Sequence, residues 1–206
     1  MIRRTLLVLG MVSFVAAGAS AQVLGIPVVN NGAPSGINVG ADVGFANDDY
    51  AGGGTAEGAR ASVGLGFFGV GAAVSHFSPK NGDGLWSEGV NATLRLLGGP
   101  LVPFRVTLQA GAARWSIGND DRTHVPISLG FSGTIPNPAF AIKPWIAPRI
   151  DILHGTAGEG TDTRFGISGG IDLSFLNGMT VRAAYDRRNA SDNHPSIFSL
   201  GLGFSP

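Results

Sequence analysis

Apolar and polar residues alternate along nearly the whole chain after residue 35. Within residues 37–45, for example, Ile37 and Val39 share one face, and Asn38 and Gly40 share the other. A repeat of two is that of a β-strand, whereas a helix repeats every 3.6 residues. The pattern therefore predicts an all-β protein of about ten strands, with eight as the alternative. The predicted strands are 37–45, 59–67, 70–74, 90–96, 104–112, 125–131, 142–152, 165–175, 179–185 and 198–204.

The links between these strands alternate in length. Long polar links (47–58, 78–88, 116–124, 155–163 and 187–194) separate short ones (68–69, 98–103, 136–138 and 176–178). Bacterial outer-membrane barrels have short periplasmic turns and longer external loops, which matches this alternation. We therefore expect residues 36–206 to form an antiparallel up-and-down transmembrane barrel, with both ends of the barrel on the periplasmic side.

The first 35 residues lack the strand pattern. Residues 1–21 combine a basic start, an apolar stretch and small residues before Gln22, which is typical of a secretory signal peptide cleaved between Ala21 and Gln22. We expect residues 22–35 to form a polar leader on the periplasmic side of the barrel.

The composition favours a lipid-facing surface. Charged residues make up 14% of the 206 residues, about half the roughly 25% of ordinary soluble domains. The absence of Cys excludes disulfides and thiol chemistry. Fourteen basic residues balance fourteen acidic ones, which argues against a nucleic-acid partner.

Aromatic residues lie near both ends of the predicted strands. Such residues form girdles at the two membrane interfaces of outer-membrane barrels. The predicted girdle residues are Phe45, Phe67, Phe104, Phe131, Phe165, Phe175, Tyr185, Phe198 and Phe204.

The last predicted strand alternates apolar residues up to a terminal aromatic, Phe204. In this feature and in its architecture over about residues 36–204, the chain resembles the small bacterial outer-membrane β-barrel proteins. That group includes opacity-like adhesins and outer-membrane-protein-A-like domains. The resemblance implies a location in the outer membrane of a Gram-negative-type bacterium, contact with its lipid, and recognition of the last strand by the barrel-insertion machinery. Ser205 and Pro206 depart from the pattern by extending beyond the terminal aromatic.

The polar faces should point into the lumen. We predict that they include seven basic and three acidic residues that form either a pore lining or a pairing network. The lumen residues are Asp42, Arg60, Arg95, Arg105, Gln109, Lys143, Arg149, Asp151, Arg164, Asp172 and Arg182. Paired charges would fill a narrow lumen and indicate a non-enzymatic structural or surface-interaction role, whereas excess positive charge would suit a small, mildly anion-selective pore.

Catalytic chemistry is the remote alternative. Asp192-Asn193-His194, with Asp120-Asp121 or Asp48-Asp49, resembles the Asp-His and Asp-Asp pairs of ten-stranded outer-membrane proteases. A lipid A deacylase would need a Ser near a His, as at Ser75-His76 or His194 and Ser196. We expect solvated loop residues instead, with no enzyme activity, cofactor or metal. An extracellular ligand could bind the acidic loops.

Two residues break the predicted pattern. Phe77 has the wrong parity for an outward position, and Arg114 would face lipid near the outer rim. A β-bulge in either strand would restore the pattern.

Overall fold

The computed structural model describes residues 23–99, 102–118, 120–155, 160–189 and 193–206; the predicted signal peptide lies outside them. Every regular element in these residues is a β-strand. The strands are β1 (Ser35–Ala46), β2 (Gly54–Leu65), β3 (Phe68–Pro79), β4 (Leu85–Leu97), β5 (Phe104–Ile117), β6 (Asp120–Gly133), β7 (Ile135–Pro136), β8 (Phe140–Gly155), β9 (Thr161–Phe175), β10 (Met179–Arg188) and β11 (Ser196–Phe204). The described residues contain no helix of the length and hydropathy needed to cross a bilayer.

Ten of these strands close into an antiparallel barrel. Sequential neighbours pair around the sheet, β1 pairs with β11, and β6 pairs with β8 to complete the circle. The two-residue β7 pairs only with the start of β8. The predicted antiparallel barrel of about ten strands is therefore confirmed.

The outer surface of the barrel is apolar. Alternate residues such as Val39, Val181 and Leu202 are exposed there, while their polar neighbours point inward. All nine predicted girdle residues lie on this outer surface, with 41% to 55% of each exposed. An apolar exterior is what the hydrocarbon core of a membrane requires of a closed barrel.

The two ends of the barrel differ. We call the end where β1 passes into β2 the loop end, and the end where β2 passes into β3 the turn end. Ser35 and Phe204, the first and last strand residues, both lie at the turn end.

The strands extend further toward the loop end than the sequence predicts. Residues 116–124 were expected to be a long loop, but β5 runs to Ile117 and β6 begins at Asp120. Ser116 pairs with Asp121 across these strands, and its Oγ donates to Asp121 Oδ1 at 2.6 Å. Polar residues thus continue the ladder beyond the apolar band, where hydrophobic alternation no longer marks a strand.

Neither pattern-breaking residue marks a bulge. Pairing of β3 with β2 and β4 is continuous, and Phe77 points into the lumen, fully buried. Arg114 lies on the outer surface opposite Glu88, and its Nε donates to Glu88 Oε1 at 2.6 Å. The expectation of a bulge was wrong because each residue finds a suitable partner on its own face.

The lumen contains residues 23–34, which we call the lumen segment. The sequence predicts a polar leader on the periplasmic side for residues 22–35, and the structure places residues 23–34 within the lumen. Val23, Leu24, Ile26 and Val28 are all buried. Their apolar side chains gain free energy by leaving water, at about 25 cal/mol per Å², and inward-facing Phe77 provides an apolar surface for them.

The lumen segment runs from the loop end to the turn end. Near the loop end, Leu24 C=O accepts a hydrogen bond from Ser75 Oγ at 2.8 Å. Halfway along, Val28 N–H donates to Asp186 Oδ2 at 3.2 Å. Toward the turn end, Asn30 Oδ1 accepts from Thr107 Oγ1 at 2.6 Å. Contacts with several strands therefore fix the segment along its length.

Glycines let the backbone of the segment approach the wall. A Cβ at Gly44 would lie 2.0 Å from the carbonyl oxygen of Gly25, and one at Gly130 would lie 2.4 Å from that of Asn30. Both distances are too short for a side chain, so these inward glycines accommodate the lumen segment. Gly40 and Gly166 instead lie against Arg60 and Arg149.

Candidate functional site

The half of the lumen nearer the loop end, the loop half, contains a buried ion network centred on Arg149. Its Nε lies 2.8 Å from Asp151 Oδ1, and its Nη1 lies 2.7 Å from Asp186 Oδ2. His124 Nε2 also lies 2.7 Å from Asp151 Oδ1. The side chains of Arg149 and Asp151 are 0% exposed. Removal of one partner would leave a buried charge without its counter-ion, which is strongly destabilising. The network therefore contributes to the stability of the barrel.

An apolar cluster lies in the lumen on the loop-end side of this network. It joins the start of the lumen segment to the wall and consists of Val23, Leu24, Ile26, Tyr50, Ala56, Phe77 and Ile197. Tyr50 Oη accepts a hydrogen bond from Gly25 N–H at 3.0 Å, and the Arg188 guanidinium lies 5.0 Å from its ring centroid. Burial raises the pKa of Tyr50 above its ordinary value of 10.0, against the opposing effect of the Arg188 charge.

The half nearer the turn end, the turn half, contains a cavity of about 440 Å³. Two ion pairs lie at its wall: Arg60 with Asp42, and Arg182 with Asp172, whose Nη2 and Oδ2 atoms are 2.8 Å apart. Asp172 also accepts a hydrogen bond from Asn31 of the lumen segment. We call this space the turn-half cavity.

Two further cations line the turn-half cavity without a carboxylate partner among the described residues: Arg105 and Lys143. Within the same part of the chain, Arg105 Nε and Gln109 Oε1 are buried and make no hydrogen bond. Buried polar atoms are nearly always hydrogen-bonded. The cavity wall therefore has unused binding capacity.

The predicted lumen residues fall into three groups. Those that line the turn-half cavity are Asp42, Arg60, Arg105, Gln109, Lys143, Asp172 and Arg182. Arg149 and Asp151 belong to the loop-half network. Arg164 pairs with Asp162 beside a second cavity of about 400 Å³ at the loop end, and Arg95 is half-buried.

Sequence reasoning missed two members of the loop-half network. His124 was assigned to an external loop, and Asp186 follows the end of the predicted ninth strand at Tyr185. Asp186 continues the inward parity of Arg182 on β10, so extending the alternation by one residue would have found it. His124 is 1% exposed and lies on the inward face of β6.

The described candidate catalytic residues lie at the loop end and, for Ser75, in the lumen. Asp49 Oδ2 accepts from the main-chain N–H of His194 at 3.0 Å, while Asp48 pairs with Lys80. Ser75 points into the lumen, whereas the adjacent His76 ring lies 5.0 Å from that of Trp86, which is exposed. Asp192 lies outside the described residues.

Together, the closed wall, the apolar exterior and the polar lumen define a membrane barrel, and the chain has the fold of the small bacterial outer-membrane β-barrels. It is similar to the β domain of the Bordetella autotransporter BrkA, with a TM-score of 0.58 and 12% identity over 84% of this chain and 100% of that chain. This likeness establishes the fold.

Two other solved barrels match with lower TM-scores. An outer-membrane channel from Pseudomonas putida F1 has a TM-score of 0.49 at 12% identity, covering 87% of this chain and 99% of that one. The outer-membrane enzyme PagL has a TM-score of 0.43 at 14% identity, covering 82% and 99%. No protein-family model and no curated protein sequence matches the chain.

Proposed function

We propose that this protein is a plugged outer-membrane barrel with a non-enzymatic structural or surface-interaction role. The observation that carries the proposal is the burial of the lumen segment between strands of the wall. At the loop end its apolar residues pack against Phe77 and Ile197, and the Arg149 network lies in the same half of the lumen. Water and ions need a continuous polar path, and we expect these groups to interrupt it.

Planar-bilayer conductance of the full chain, purified from membranes, tests the plug. We expect no stable unitary steps from the intact protein, and stable steps after deletion of residues 24–34. Since the deletion also removes part of the apolar cluster, Gly44→Ala provides a gentler test: its Cβ would displace the backbone at Gly25. Gly99→Ala, where a Cβ would meet nothing within 4 Å, is the matched control. Stable steps from the intact chain would overturn the proposal.

A small, mildly anion-selective pore is the second candidate function. The unpaired Arg105 and Lys143 favour it because positive charge on a narrow wall attracts anions. If the intact chain conducts, Arg105→Glu should shift its reversal potential toward cation preference. An unchanged reversal potential would count against this candidate.

A further inference from the structure

We propose that the turn-half cavity binds a small oxyanion that also carries a hydroxyl group, such as hydrogen phosphate or a hydroxycarboxylate. The inference goes beyond the plugged-barrel role, because a binding cavity closed at one end needs no path through the barrel. At about 440 Å³, the cavity lies within the usual range of roughly 300–1,000 Å³ for small-molecule sites.

The charges around the cavity favour an anion. Four cationic side chains line it (Arg60, Arg105, Lys143 and Arg182), against two carboxylates (Asp42 and Asp172). Both carboxylates are already occupied by ion pairs with Arg60 and Arg182. The charges of Arg105 and Lys143 therefore remain available to a ligand.

The positions of these two cations suit a shared ligand. Arg105 is on β5 and Lys143 on β8, on either side of β6. The β6 residue opposite Arg105 is Ser132, which pairs in turn with Trp145, two residues along β8 from Lys143. Two strand spacings, about 10 Å, therefore separate β5 from β8, and the long side chains of Arg105 and Lys143 can reach an oxyanion between them.

The unused hydrogen-bonding atoms specify the ligand further. A guanidinium donates in a planar fork that matches an oxyanion, and Arg105 Nε is one such donor without a partner among the described residues. Gln109 is 4% exposed, and its Oε1 also lacks a donor in that part of the chain. Because an amide oxygen can only accept, it requires a hydrogen from the ligand. Gln109 lies four residues along β5 from Arg105, so a hydroxyl on the side of the ligand away from Arg105 supplies that hydrogen.

The lumen segment forms one wall of the site. A Cβ at Gly32 would lie 3.8 Å from both Arg105 Nη1 and Ser132 Oγ. Asn31 is held in place through its hydrogen bond to Asp172. The ligand would therefore contact both the barrel and the segment that fills it.

Isothermal titration of the full chain in detergent micelles at low ionic strength tests this assignment. The probes are inorganic phosphate, gluconate, sulfate and chloride. We expect saturable one-to-one binding of phosphate, gluconate or both, which separates phosphate from carboxylate sources. Sulfate, which carries no proton at neutral pH, and chloride should bind at least tenfold more weakly.

Variants locate the site. Arg105→Gln and Lys143→Gln should each weaken binding about tenfold or more, as the loss of a charge-assisted hydrogen bond predicts. Arg105→Lys should restore part of the affinity. Gln109→Leu should weaken phosphate and gluconate binding while leaving sulfate unchanged. Arg164→Gln, which removes a cation paired with Asp162 at the loop end, is the matched control and should have no effect.

Three results would overturn the proposal. Absence of saturable heat with every probe would mean that the cavity holds only water. Equal binding of sulfate and phosphate, unchanged in Gln109→Leu, would exclude the hydroxyl requirement. Affinity unchanged in both cation variants would place binding elsewhere. Because none of these measurements uses conductance, they succeed or fail independently of the plug experiment.

Discussion

In the loop half of the lumen, Arg149 lies between two carboxylates, whereas in the turn half Arg105 and Lys143 border the cavity and form no ion pair within the described residues. The apolar start of the lumen segment covers the first arrangement, and the second borders its polar end. Charged residues in the interior of one barrel can thus have two different roles. Where it is compensated and buried it fixes the strands, and where it is uncompensated and partly open it is available to a ligand.

The largest expected effect comes from breaking the loop-half network. Arg149→Met should lower the free energy of unfolding by about 3–5 kcal/mol, because Asp151 and Asp186 would remain buried without their cation. Urea unfolding in lipid vesicles, followed by tryptophan fluorescence, measures this loss. Lys143→Gln, which orphans no carboxylate, should cost less than about 1 kcal/mol. Equal losses in the two variants would contradict the distinction between the halves.

Phe77 tests whether the lumen segment contributes to stability. Phe77→Ala should lower the free energy of unfolding by about 3 kcal/mol, since it removes a fully buried ring that packs on the segment. The same urea experiment applies, with Phe68→Ala, an exposed aromatic on the outer surface of the same strand, as the control. If Phe77→Ala destabilised the barrel no more than the control, the segment would not pack against β3.

The smallest effect concerns Tyr50 and pH. Its pKa is raised in the folded protein, so the folded state holds the phenol proton more tightly than the unfolded state. The resulting stabilisation is complete below the ordinary value of 10.0 and is lost as the pH rises through the folded pKa.

Tyr50→Phe should cost about 1 kcal/mol at neutral pH, through loss of the hydrogen bond from Gly25. It should also reduce the further loss of stability as the pH rises above the ordinary tyrosine pKa of 10.0. Unfolding measured across that range checks both effects. An identical alkaline loss in wild type and variant would exclude Tyr50 as its source.

The alternation of side chains predicts most of this fold because it records directly which face of each strand meets lipid. Ile37, Val181 and Leu202, for instance, lie on the face that the pattern assigns to them. Toward the loop end the strands leave the apolar band, and residues such as Ser116 and Asp121 pair without any hydrophobic repeat. Alternation in the sequence therefore predicts the width of the apolar band more reliably than the length of the strands.

The lumen segment was harder to predict because five Val, Leu and Ile residues in a short stretch without alternation do not reveal their partner. Two signals existed. Phe77 is an aromatic on an inward face, which requires an apolar neighbour inside the barrel. Gly44 and Gly130 are inward positions where another backbone, and not an arginine side chain, occupies the space. Neither signal identifies the segment without the three-dimensional pairing of the strands.

The path of the lumen segment also determines at which end of the barrel the described part of the chain begins. The ten barrel strands alone bring Ser35 and Phe204 to the same end, but the segment adds an eleventh traverse in the opposite direction to β1. Val23 therefore lies at the loop end, among Tyr50 and Phe77, while Phe204 lies at the turn end. A label attached at residue 23 and one attached after Phe204 should consequently report from opposite ends of the barrel.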